Sequence, residues 1–410
     1  MLQNIWDFVI IIHMNIFGKI GYHFRNKTFL KKIDFYICYK LKFYKILYPI
    51  FCLFKINNKK VVCDNFKGRG FSCNPKYIVE ELHRRFPEYK IIWIFDFYHL
   101  DPKTLPEYVI PVQYYTTKEL FHLATSKFWI FNYRRYKQIP KRKDQIYFQT
   151  WHGSIGPKMI EADALETLDK DYLENAKIDS TKINYCISGS KHLTNIYKNS
   201  FWYNGPILEF GSPRNDILFD KTKYEIIKKQ LGLESKKICL YAPTFRKDYL
   251  FDSYTLNYNQ LNSFLKKYTS EDWITLVRFH PNIIFEELPQ FQNNVVNVSD
   301  YPDSQELLLI SDMLITDYSS IIYDYALLSR PAFIFAPDYE DYIKNDRNLY
   351  FKLSETPFPI AKTTEELINN IQNLNKTKFE KDINDFLLSK GALEDGNASK
   401  KTVDFLLNLT

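Results

Sequence analysis

Glycine and proline are scarce in this chain, twelve and eighteen in 410 residues, too few for long disordered or low-complexity stretches. Cysteine is scarcer still. The six, Cys38, Cys52, Cys63, Cys73, Cys186 and Cys239, form no CxxC pair and have no companion histidines at zinc spacing, which points to a reduced compartment and no structural metal. Long hydrophobic runs are also missing. The apolar stretches at 8–17 and 46–54 fall short of the roughly 20 residues that a bilayer-spanning helix needs. The first also lacks the positive flank and small-residue cleavage site of a signal peptide. No repeat of solenoid period is found.

What is present is core material, with 45% hydrophobic and 17% aromatic residues. The length favours two domains plus extensions. The net charge of +7 is placed unevenly: residues 1–60 hold eleven Lys or Arg against Asp7 and Asp34, a balance of +9, which leaves −2 for the other 350 residues. A basic segment interleaved with Phe, Tyr, Ile and Leu suits an anionic membrane surface or a nucleic acid, and equally a helical extension packed on the body with a solvated outer face. No nucleic-acid module accompanies the charge, so the expectation is no nucleic acid partner.

From residue 60 onward, short β-branched or aromatic runs alternate with amphipathic stretches of helical length, the pattern of parallel sheets with crossover helices. Strands are expected at 60–63, 91–95, 128–131, 145–150, 185–188 and 207–210, with helices at 75–86, 118–124 and 191–201. After a charged helical connector, a second alternation has strands at 238–241, 274–279, 295–298, 313–316 and 332–335. Its helices are expected at 259–268, 304–311, 321–328 and 365–374. The reading is α/β, two Rossmann-like domains facing across a cleft, with a basic helical N-terminal extension. Its parts are 1–58 (extension), 59–220 (acceptor side), 237–385 (donor side) and 386–410, a C-terminal helix returning to the first domain. Ligands of open α/β sheets bind at the carboxyl ends of the strands.

Several segments sit at such strand ends. In Met313–Tyr323 a buried strand runs into Asp317, Tyr318, Ser319 and Ser320 and then a helix; the helix start and two hydroxyls suit a diphosphate, and Asp317 or Ser319 equally suits a cap. Arg278 and His280, in the run Arg-Phe-His-Pro, close the preceding strand, where His280 is either a phosphate donor or a turn residue. Thr244 and Arg246 follow the strand at 238–241, a fitting place for a hydroxyl and a guanidinium to meet phosphate. Asp303 and Glu306 have the spacing of a capping box. In the first domain, Trp151-His152-Gly153-Ser154 follows the strand at 145–150. Gly153 allows a sharp turn that exposes His152, and an imidazole there is the candidate general base. The other six histidines give no comparable signal. Arg214, Asn215 and Asp216 close the first domain, either as a hinge turn or in the domain interface. The acidic residues of 161–179 read as a solvated helical face without metal-ligand spacing.

Taken in order, YFQTWHGSIGPKMIEAD, YCISGSKHL, ILEFGSPRNDILF, LYAPTFR, VRFHPN and VSDYPDSQELLLISDMLITDYSSIIYDYALLSRPAFIFAPD resemble the CDP-glycerol glycerophosphotransferase family, which includes the teichoic acid primases and polymerases. The resemblance covers about 145–342. It implies a GT-B-like architecture and transfer of glycerol phosphate from CDP-glycerol to a surface polymer, with release of CMP and no essential metal or other cofactor. It also implies His152 as the acceptor-side histidine and His280 as the donor-phosphate histidine. Gly153, Ser154, Arg214, Asn215, Asp216, Thr244, Arg246, Arg278, Asp317, Tyr318, Ser319 and Ser320 are then substrate-binding residues. Many wall-teichoic relatives continue TWHG with Thr-Pro, where this chain has Ser154-Ile155-Gly156-Pro157, which leaves the acceptor open. The implied partners are a CDP-polyol donor, a lipid-linked or polysaccharide acceptor and an anionic membrane, and the implied location is the cytoplasmic face of the cell membrane. A GT-B glycosyltransferase using a nucleotide sugar is the alternative reading.

Overall fold

The computed structural model describes residues 42–97, 100–244, 256–279, 294–340, 342 and 348–409. Most of the expected basic extension, Arg246 and His280 lie outside the described residues.

The first sheet is parallel throughout, with strands β1 (Asn57–Asp64), β2 (Lys90–Phe95), β3 (Val109–Gln113), β4 (Ser126–Phe131), β5 (Ile146–Gln149), β6 (Tyr185–Ile187) and β7 (Ile207–Leu208) in the order β3-β2-β1-β4-β5-β6-β7. Helices α1 (Tyr44–Phe51), α2 (Cys73–Arg85), α3 (Thr117–Thr125), α4 (Lys170–Ser180) and α5 (Lys191–Ser200) belong to this half. Because both faces are covered, its central strands read as continuous apolar runs rather than alternating ones. In β1, Val61 and Cys63 pack with Ile78, Val79 and Leu82 of α2. Val62, pointing the opposite way as strand geometry requires, packs with Leu120, Leu123 and Ala124 of α3.

After a 3-10 helix at Pro213–Phe219 and the connector α6 (Lys221–Gln230), the second sheet repeats the plan. Its strands β8 (Lys237–Ala242), β9 (Trp273–Val277), β10 (Val295–Asn297), β11 (Met313–Thr316), β12 (Ala332–Phe335) and β13 (Ile360–Ala361) lie in the order β10-β9-β8-β11-β12-β13. Its helices are α7 (Tyr258–Thr269), α8 (Ser304–Ile310), α9 (Ile321–Tyr325), α10 (Thr364–Gln372) and α11 (Lys376–Ser389). Each sheet reverses its strand order at one place, between β1 and β4 and between β8 and β11, and such switch points open the ligand crevice.

The stretch 386–410, expected as one helix, is divided. α11 ends at Ser389, Gly391 turns the chain with φ +59°, and α12 (Ala398–Leu407) follows. A side chain at Gly391 would put Cβ only 2.6 Å from Lys191 Cγ, so the turn needs glycine. α11 packs in the second half through Phe379, Ile383 and Phe386. α12 returns to the first half, where Val403 and Leu406 join the cluster of Val61 and Ile78, and Arg85 pairs with Asp404 at 2.7 Å.

Two strands were not expected. β3 carries Pro111 and β13 has two residues. Both lie at sheet edges, where a missing N–H or a short ladder is tolerated. The acidic stretch 161–179 is only partly solvated. Glu161 and Asp179 are buried against Arg134, at 3.2 and 3.7 Å, and the guanidinium lies 3.7 Å from the Phe201 ring centre. An arginine at 134 is what turns two acids inward, and its distance in sequence hides the pairing.

Candidate active site

The loops at the two switch points face each other. Past β4, the Asn132 carbonyl accepts from His152 Nδ1 at 2.9 Å. A carbonyl only accepts, so Nδ1 carries the proton and the neutral ring has its lone pair on Nε2. Trp151 stacks on His152 with ring centres 4.3 Å apart, and Phe66 from the loop after β1 lies 4.7 Å away. The left-handed residue of this turn is Trp151, at φ +50°, rather than Gly153. A non-glycine residue in that region stores local strain, and the strain sits directly before the half-buried His152. The turn is tied down further along: Ser190 Oγ donates to the Ser154 carbonyl at 2.7 Å, and His192 Nε2 donates to the Gly156 carbonyl at 3.2 Å. Burial holds the His192 pKa below its ordinary value. Sequence reasoning passed over His192, although it lies in the quoted run YCISGSKHL.

Across the cleft, Asp317 accepts the backbone amide of Thr244 with both carboxylate oxygens, at 2.9 and 3.0 Å, and that of Tyr318 at 2.7 Å. It thereby fastens the ends of β8 and β11 to each other. Tyr318 is buried, stacks on Tyr342 with ring centres 3.5 Å apart, and donates to Asp338 at 2.9 Å. Ser319 Oγ accepts from the Ile321 amide at 3.3 Å, while Ser320 makes no side-chain cap for α9. Arg278 donates to the carbonyls of Val298, at 3.3 Å, and Tyr301, so its charge stands beside the loop of Ser299–Asp303. Burial holds its pKa down.

Two cavities share this centre. One, of about 560 Å³, runs from Trp151–Lys158 to Tyr318–Ser320. The other, of about 330 Å³, lies between Phe66 and Arg69 on one side and Arg278 on the other. His152, Thr244, Ser319 and Ser320 line both. Gly153 faces Ser320: a Cβ there would lie 3.8 Å from its hydroxyl. Ser154 is buried, with its Oγ unpartnered.

Arg214 lines the second cavity too, while Asn215 and Asp216 do other work. Arg214 donates to the His152 carbonyl and pairs with Asp324 of α9. Burial opposes its charge, but Asp324 and Cys73 outweigh that and hold the proton more firmly than usual. Asn215 donates to Asp324 at 3.1 Å and to Glu394 at 3.2 Å, and accepts from Gln305 at 2.7 Å. Asp216 accepts the amides of Ala398 and Ser399 at 2.9 and 2.7 Å, capping α12. The structure thus brings His152, Gly153, Ser154, Thr244, Tyr318, Ser319 and Ser320 to one cavity and Arg214 and Arg278 to the one beside it. It puts Asn215 between the halves and uses Asp216 to cap α12 within the first half. Of the expected capping box, Asp303 does cap Gln305 at 3.0 Å. Glu306 instead meets Lys76 of the first half at 2.7 Å, and Lys76 also meets Asp303 at 2.7 Å. Among the described residues no His, Cys, Asp and Glu side chains gather as a metal-binding group.

The family model for CDP-glycerol:poly(glycerophosphate) glycerophosphotransferase matches residues 46–408. A teichoic acid poly(glycerol phosphate) polymerase of Bacillus spizizenii is 34% identical over 384 residues, covering 90% of this chain and 96% of that protein. The Bacillus subtilis polymerase is 33% identical over 88% of this chain, which spans 50% of its length. The solved wall teichoic acid polymerase TagF superposes with a TM-score of 0.78 at 28% identity, covering 94% of this chain and 98% of that one.

Proposed function

The chain belongs to the CDP-glycerol:poly(glycerophosphate) glycerophosphotransferases, and on that premise we propose how it works: His152 is the base that lets a polymer hydroxyl take glycerol phosphate from CDP-glycerol. The acceptor oxygen attacks the phosphorus bearing the glycerol, His152 Nε2 takes its proton, the bond to the bridging oxygen breaks, and CMP leaves with that oxygen. The observation that carries this is the shared lining: the imidazole, oriented by the Asn132 carbonyl, opens on the same cavities as Thr244, Ser319 and Ser320. Those hydroxyls and Arg278 suit the diphosphate, whose charge is what phosphoryl transfer must stabilise. His280 and Arg246 belong to the same proposal on the resemblance, and so does a reaction without an essential metal, tested by CMP release in chelator.

His152→Ala should lower turnover by about 10² to 10⁴ while CDP-glycerol affinity stays near normal. His152→Gln can hydrogen-bond but cannot take the proton, and should be nearly as poor. A glutamine enzyme that keeps most of its CMP release would end the base assignment. Parallel runs with CDP-ribitol and UDP-sugars identify the donor.

No helix of the described residues is long and apolar enough to cross a membrane. We propose that the N-terminal segment rests on an anionic bilayer face. Exposed Phe43, Ile46 and Leu53 stand among Lys42, Lys45 and Lys55, a combination of apolar insertion and charge, each cation near such a surface contributing roughly 1 kcal/mol. Sedimentation with anionic liposomes should fall at high salt. Equal binding to neutral liposomes would refute the idea.

A further inference from the structure

The loop between β1 and α2 was silent in the sequence, yet four of its five residues from 66 to 70 have positive φ. These are Phe66, Lys67, Gly68 and Gly70, at 42°, 62°, 88° and 80°. A Cβ on Gly68 would lie 2.8 Å from the Asp96 backbone nitrogen, so the loop is pressed against the end of β2. This conformation pushes Lys67 out at the carboxyl end of a switch-point strand. Its ammonium lies 4.8 Å from the Tyr133 ring centre, and no carboxylate pairs with it among the described residues. Burial, Arg135 and Arg69 together lower its pKa, with Asp64 only partly compensating, as expected where cations gather without enough anions.

Lys67 borders a third cavity, of about 510 Å³, lined also by Tyr115, Tyr133, Lys137, Tyr172 and Asp171. Tyr133 and Tyr172 line the catalytic cavity as well. The two spaces are therefore neighbours, joined by the aromatic series His152, Phe66 and Tyr133, with ring centres 4.7 and 6.3 Å apart. Ammonium groups recognise phosphate oxygens, and tyrosine faces accept the carbon backbone of a polyol, while the Tyr172 hydroxyl is held by Glu161 at 2.6 Å.

We propose that this groove is an acceptor subsite: it holds the phosphodiester groups behind the terminal hydroxyl of a growing polyol-phosphate chain, with Lys67 as its principal cation. The proposal rests on the reading of His152 as the acceptor-side base and adds what the acceptor must carry. An acceptor without phosphodiesters gains nothing from the groove, whereas every unit added brings another anion to it. Lys137 reinforces the site once it is drawn from Glu174, which it meets at 2.6 Å on the surface, a pairing of small worth.

The test compares wild type, Lys67→Gln and Lys137→Gln with two acceptors, an oligo(glycerol phosphate) and a glycan primer without phosphodiesters. Lys67→Gln should raise the oligomer KM about tenfold, in the range of one charged hydrogen bond lost, and Lys137→Gln by less. The KM for CDP-glycerol and for the primer should move less than twofold. Titration calorimetry with the oligomer alone, without donor, should show the same loss and a salt-weakened affinity. Unchanged oligomer KM and binding in Lys67→Gln, or equal losses for both acceptors, would overturn the subsite. If the oligomer binds through Lys67 but no CDP-glycerol is consumed by wild type, it is the transfer reading that fails and the anion groove that stands.

Discussion

Asp317 looks like a ligand-binding acid in the sequence and acts as a clasp in the structure. It holds Thr244 and Tyr318 by their backbone amides, and those two residues lead into the cleft hydroxyls. Replacing a carboxylate that accepts several amides leaves buried N–H groups unpaired, at about 1–3 kcal/mol. Asp317→Asn should therefore lower Tm by several degrees and raise the CDP-glycerol KM, with a smaller effect on turnover at saturating donor. A variant with normal Tm and lost turnover would instead make Asp317 a catalytic residue. Much at this scale was legible. His152, Thr244, Ser319 and Ser320, each legible at the end of an apolar strand, meet at one cleft, although Ser319 also accepts the Ile321 amide as a cap would. Asn132, Lys67 and His192 are not legible: Asn132 acts on His152 through its own backbone carbonyl, His192 bonds the carbonyl of Gly156, and Lys67 faces open groove, none of which leaves a pattern in side-chain type.

At the scale of elements, apolar runs between charged stretches locate all the inner strands, since a strand buried on both faces must be continuous in its hydrophobicity. Edge strands carry a weaker signal, and the proline of β3 removes what was left. The end of the chain reads as one helix returning to the first domain, and α12 does return there. What stayed hidden is the break at Gly391 and the cap on the first turn of α12 from Asp216, some 180 residues earlier. Leu406 is fully buried in the first half's core. Leu406→Ala should cost about 2–5 kcal/mol through lost transfer energy and the cavity left behind. Thermal unfolding reads this directly, and a change under 1 kcal/mol would mean that α12 is only loosely docked.

For the whole molecule, the two halves meet through charge buried where they touch: Lys76 with Asp303 and Glu306, and Arg214 with Asp324. Glu394 joins this region, accepting from Ser212 N at 2.8 Å and from Asn215. Burial raises its pKa to about 7, with nearby Asp324 adding to the effect and the bonds from Ser212 and Asn215 opposing it. A carboxyl with a folded pKa above its unfolded value keeps a proton that the unfolded chain has lost. Its contribution to stability is thus complete below about pH 4.5 and is lost as pH rises to about 7. Glu394→Gln cannot ionise, so its Tm should fall less than that of wild type between pH 5 and pH 8. Parallel curves would show that Glu394 does not titrate in this window.

The return of α12 also makes the molecule a nested object. Read along the chain, the first unit is interrupted at about residue 220, the second is completed by the end of α11, and only then is the first finished. The second half is an insert and the first half its host. A fragment of residues 213–390, which keeps Ile217 and Leu218 with the core cluster of the second half, should accordingly fold alone, as a guest. A fragment ending at 220 should stay unfolded by circular dichroism until a peptide of residues 391–410 is supplied. During synthesis on the ribosome, the host must wait for the guest.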